Sequence, residues 1–178
     1  SKAFAKAPKD GTAAVAARLM TSARFVKDVD DEMRALGEDD EDAAATTRAD
    51  EDDLRFCDDD FSETEMANAK TLRVFVRACV ALLKALILPT VKAKTARLDA
   101  LEPIVDACVE FQNCVEEIGA GAYPPQDVDE LEGYVETARA AGKKMHECVR
   151  DAGIGDDETA NAFATFDEAG ARTSLSVD

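Results

Sequence analysis

Tryptophan is absent from this chain of 178 residues, and histidine occurs once, as His146. One imidazole cannot build a multi-histidine zinc or iron site. Nor can a Ser-His-Asp triad, a nucleophile elbow or a pocketed carboxylate pair be assembled from the pattern. Cationic side chains are scarce: 21 Lys and Arg stand against 38 Asp and Glu, for a net charge of −17 and a pI near 4.4. That balance argues against a nucleic-acid binder, because a phosphate backbone demands a basic face, and it disfavours anionic lipid for the same reason. The five cysteines are odd in number and contain no C-x-x-C pair. Reduced thiols in a cytosolic or nuclear protein are the simplest reading. The longest apolar run, Ala78 to Leu88, is broken by Lys84 and falls short of the roughly 20 residues that cross a bilayer. Gly119-Ala120-Gly121-Ala122 has no Lys-Ser/Thr after it, so it is not a phosphate loop. The opening Ser1 to Pro8 has no signal-peptide core and is expected to be a point of truncation. Strand-like alternation is missing throughout.

What is present is helical periodicity. Of the apolar residues 33 are alanine, which leaves 44 large side chains, enough for one core in a chain of this size. They recur in steps of three and four along four long segments. The first, about 9–36, carries Val15, Leu19, Ser22, Val26, Val29, Met33 and Leu36 on one line, with Asp10 as N-cap and Gly37 beyond the end. The second, 62–88, opens on a capping box, Ser62-Glu63-Thr64-Glu65, with Phe61 and Met66 placed as a hydrophobic staple. Its two apolar lines (Leu72, Val76, Cys79, Leu83, Leu86 and Phe75, Val80, Leu82, Ile87) predict the most buried helix, ended or kinked by Pro89. The third, 99–118, buries Ile104, Cys108, Phe111, Val115 and Ile118 and stops at Gly119 and Gly121. The fourth, 126–152, has small residues Ala138 and Gly142 within its line, which predicts a close helix approach. A shorter fifth, 157–169, turns Phe163 and Phe166 inward, and 173–178 reads as a tail. The expected fold is all-α: an antiparallel up-and-down bundle of four long helices plus a shorter fifth, one domain over 1–172.

Residues 38–60 interrupt this order. They hold twelve carboxylates and two arginines, a net of −10, and their self-repulsion predicts a flexible, solvated linker. Neither the register from Asp50 nor that from Asp58 supplies the Gly and Glu of a calcium loop. His146 has only Glu147 and Asp151 near it in sequence, which suits a surface or rim histidine. Cys79, Cys108 and Cys148 lie on or beside apolar stripes, as small hydrophobes do. No cofactor and no metal site is expected, and no catalysis.

Several segments, taken in order, resemble the cyclin-D-binding protein family (Maid or GCIP), in its C-terminal half. They are Pro8-Lys9-Asp10 with Val26-Lys27-Asp28, then Leu98-Asp99-Ala100-Leu101-Glu102-Pro103-Ile104-Val105-Asp106, then Tyr123-Pro124-Pro125. The resemblance extends to about Ala152 and includes the acidic loop before the capped helix. It implies a cell-cycle regulator that acts by protein contact, with a D-type cyclin as partner, and a helix-loop-helix pair here at 62–88 and 99–118. Asp58, Asp59 and Asp60, flanking that pair, and the turn Tyr123, Pro124 and Pro125 are the candidate protein-contact residues. The chain is expected to be a monomer that binds neither nucleic acid nor membrane. A cytoskeletal or adhesion scaffold of the vinculin and talin type is the alternative that long antiparallel helices leave open.

Overall fold

A computed structural model describes residues 11–36, 61–92 and 98–177. Among the described residues are five helices and no strand: α1 (Gly11–Ala35), α2 (Glu63–Lys92), α3 (Leu98–Gly121), α4 (Val128–Asp151) and α5 (Asp157–Arg172). The all-α bundle predicted from periodicity is the observed class. The segment 38–60, with Asp58, Asp59 and Asp60, lies outside the described residues, as do Asp10, Gly37 and Cys57.

Contacts at the helix ends fix their directions. Tyr123, just after α3, stands against Phe61, just before α2, with ring centroids 6.3 Å apart. At the opposite end Thr159, early in α5, reaches the carbonyl of Ala85, late in α2. α2 therefore runs antiparallel to both α3 and α5. The lateral order of the helices differs from their order in the chain. α1 packs against both α2 and α3, α3 against α4, α4 against α5, and α5 against α2, while α2 and α3 touch only marginally. α1 is thus wedged between two helices that follow each other in sequence.

The stripes read from sequence form the core. Leu19, Val26, Leu72, Phe75, Leu83, Ile104, Phe111 and Ile118 are all fully buried. At its centre Phe166 of α5 lies 5.5 Å, ring to ring, from both Phe75 and Phe111. α2 is indeed heavily buried. It is also, by length and mean hydropathy, able to cross a membrane, contrary to the reading of its apolar run as too short. Half of that stretch is buried inside the bundle, and a core helix meets the same measure.

Two residues expected to stop a helix lie inside one. Pro89 does not end α2, which runs on to Lys92. Proline has no N–H to donate four residues back, which frees the Ala85 carbonyl; the Thr159 hydroxyl approaches that carbonyl at 3.5 Å. Gly119 lies inside α3, where a Cβ would fall 2.5 Å from Val29 Cγ1 of α1. Its function is close approach, not termination. Gly153 does terminate α4: at φ +66° it donates to Arg150 O (3.0 Å) while Ile154 N–H donates to Val149 O (3.2 Å), a Schellman cap.

The tail is not free. Asn68 of α2 donates from Nδ2 to Ser176 O (2.9 Å) and accepts from Ser176 N–H at Oδ1 (2.9 Å). Leu175 is buried with it.

Candidate interaction surface

The capping box forms as the sequence predicts. Glu65 N–H donates to Ser62 Oγ (3.1 Å), and Ser62 N–H donates back to Glu65 Oε2 (2.9 Å). The same carboxylate also ties down the α3–α4 turn, because Gln126 N–H donates to Glu65 Oε1 (3.2 Å). From its side chain, Gln126 Nε2 donates to Glu65 O (2.9 Å) and to Ala122 O (2.7 Å), and its Oε1 accepts from Asn68 (3.1 Å). Gln126 and Asn68 therefore link the start of α2, the turn and the C-terminal segment into one node. Sequence reasoning passed over both, since neither a buried Asn nor a Gln after two prolines has a periodic signature.

This node holds out the turn Tyr123-Pro124-Pro125. Tyr123 is 39% exposed, its ring tilted 54° to that of Phe61. Partial burial, and then the nearby Glu32 carboxylate, push its phenol above the usual tyrosine range, so it stays a neutral hydroxyl at physiological pH. Of the six contact candidates, this turn is the half the structure describes. It offers aromatic surface and a hydroxyl rather than any reactive group.

A cleft of about 600 Å³ opens between α4 and α5, lined by Arg139, Lys143, His146, Ala160, Phe163 and Ala164. His146 is half-buried and stacked on Phe163, centroids 4.3 Å apart, the rim position foreseen for it. Arg139 Nη2 donates to Asp167 Oδ1 at 3.0 Å across the cleft. Among the described residues the thiols show no activation. Burial raises Cys79, Cys108, Cys114 and Cys148 above the ordinary cysteine range, the reverse of what a nucleophilic thiolate needs. Among the described residues no group of three His, Cys, Asp or Glu converges as a metal site.

A family model described as Grap2 and cyclin-D-interacting, C-terminal, matches residues 36–147, more than half of the chain. The chain belongs to that family. No individual curated protein matches it. The Grap2 and cyclin-D-interacting match takes in α2, α3 and nearly all of α4, including the node and the Tyr123 turn. It begins at residue 36, after α1. α1 and α5 nonetheless complete the same core, through Leu19, Val26 and Phe166.

Proposed function

We propose that this domain is a non-catalytic protein–protein interaction module that binds a D-type cyclin and restrains cell-cycle progression, acting as a monomer in the cytoplasm or nucleus. The family match over 36–147 carries the reading. The chemistry of the described residues is in keeping with it. Glu65, Asn68, Gln126 and Asp156 spend their hydrogen bonds on helix ends and segment junctions, and burial pushes the Cys79 and Cys108 thiols away from reactivity. The contact residues in this reading are Tyr123, Pro124 and Pro125, together with the acidic triplet Asp58, Asp59 and Asp60.

The test is capture of a purified D-type cyclin by the full chain, beside a Tyr123→Ser form and a form whose 38–60 carboxylates are neutralised. Retention of cyclin by the native chain, weakened in both variants, is the expected result. No retention by the native chain would sink the cyclin assignment.

A further inference from the structure

The solvent-facing line of α2 is unlike the rest of this acidic protein. Its exposed positions recur in steps of three and four: Lys70, Val74, Arg77, Ala81, Lys84, Leu88 and Val91. Val74 is 62% exposed, Leu88 52% and Val91 48%. No carboxylate occurs in α2 after Glu65, whereas the exposed positions of α3 include Asp106, Glu110, Glu116 and Glu117. Exposed valine favours helix formation less than alanine does, by about half a kcal/mol, and does nothing for solubility. Val74 and Val91 serve neither the helix nor the solvent.

The order along it is regular. Lys70, Arg77 and Lys84 fall seven residues apart, and so do Val74, Ala81 and Leu88. Seven residues of helix rise about 10.5 Å, so a cationic row and an aliphatic row run side by side with the heptad repeat of a helix-pairing seam. Arg73 at the border is already committed, its Nε lying 3.4 Å from Asp30 of α1. The three cations of the seam itself are exposed. The Lys27 hydrogen bond, with Lys84 near enough to help, holds the Asp31 carboxyl of α1 below the usual carboxylate range.

We propose that this line is a docking face for an acidic amphipathic helix of a partner protein. Apolar side chains of that helix seat along Val74, Ala81 and Leu88, and its carboxylates, one per heptad, meet Lys70, Arg77 and Lys84. The inference rests on the reading of the chain as a protein-contact module, not on a cyclin being the partner. Charge complementarity selects the occupant. An anionic bilayer would also attract the cationic row, but it would repel a chain of net −17, whereas a single acidic helix meets the seam alone.

The probe is a synthetic helix of four heptads with leucine at a and d and glutamate at e and g, set beside a counterpart with lysine at e and g. Both are titrated against the full chain by fluorescence anisotropy. The acidic helix should bind at least about tenfold more tightly than the basic one, and its affinity should fall with added salt. Because all the positions are exposed, the K70E/R77E/K84E form should keep its circular dichroism and reverse the preference, and V74S/L88S should weaken the acidic helix by roughly tenfold. Equal binding of both helices, or binding unchanged in the two variants, overturns the proposal. So does saturable binding to phosphatidylserine vesicles, or self-association of the chain that disappears in K70E/R77E/K84E. Failure of cyclin capture alongside success of the acidic helix would fault the choice of cyclin and leave this surface standing.

Discussion

Replacing Gly142 with alanine measures how tightly α5 is pressed onto α4. A Cβ at this position falls 2.4 Å from Phe166 Cε1 and 2.8 Å from Cζ. The ring has nowhere to go: Phe166 is 2% exposed and is held against Phe75 and Phe111. Two effects compete. Alanine is the better helix former by about 1 kcal/mol, while forcing an extra methyl into a packed core costs about 1–3 kcal/mol. Gly133, on the outside of the same helix, separates them, because a Cβ there meets nothing within 4 Å. Gly133→Ala should therefore stabilise by up to about 1 kcal/mol. Gly142→Ala should fall below it by the clash alone, about 1–3 kcal/mol, and end neutral or destabilised. Urea unfolding followed by far-ultraviolet circular dichroism reads both. Adding Phe166→Leu to Gly142→Ala should recover part of the loss, as a coupling of about 0.5–3 kcal/mol between touching residues. If Gly142→Ala stabilises as much as Gly133→Ala, α5 does not lie on α4 at this distance, and the closed packing described above is wrong.

Asn68→Ala removes both hydrogen bonds to Ser176 and the one to Gln126; it should cost about 1–3 kcal/mol and make the C-terminus a faster substrate for carboxypeptidase, which mass spectrometry of the trimmed chain reads. Cys79 and Cys108, buried and with raised pKa, should react with an aromatic disulfide reagent only as fast as the protein opens, while the half-buried Cys148 reacts earlier; peptide mapping after timed quenching decides the order. Asp156, the N-cap of α5, is held below the usual carboxylate range by the Thr159 backbone N–H and then its hydroxyl. A lowered folded pKa means that its contribution is complete above the unfolded value of about 3.9 and is lost as pH falls through the folded value. Asp156→Asn should therefore flatten the acid limb of the stability curve, and an unchanged limb would place the acid sensitivity elsewhere.

Features decided by neighbours three or four residues away were legible in the sequence. Ser62 and Glu65 cap α2 because both partners of each hydrogen bond lie in one turn, and the buried stripes follow because burial repeats at the helical period. Features decided by distant partners were not. Gly119 looks like a terminus until Val29 is laid across it, and nothing local shows that α2 runs on through Pro89 to Lys92. The Tyr123 turn was found through the family resemblance, as its Tyr-Pro-Pro segment. Gln126 and Asn68, which hold that turn in place, carry no periodic or motif signal. The seam on α2 was hidden for another reason: its spacing is the ordinary helical one, and only the burial of the opposite face shows that Val74 and Leu88 are left outside.

The lateral position of α1 bears on the helix-loop-helix description of residues 62–88 and 99–118. Such a pair dimerises by burying the inner faces of both helices against those of a partner. Here the two helices scarcely touch each other, and α1 fills the space between them with Leu19 and Val26. Phe75, Leu82 and Leu83 of α2, and Ile104 and Phe111 of α3, are fully buried in the chain's own core. Exposing these five for a partner costs about 1.5–3 kcal/mol each, a total comparable to the whole stability of a domain, about 5–15 kcal/mol. Dimerisation through those inner faces would amount to unfolding the bundle. Contacts that leave the fold intact must use outer faces, and on α2 that outer face is the cationic, aliphatic line from Lys70 to Val91.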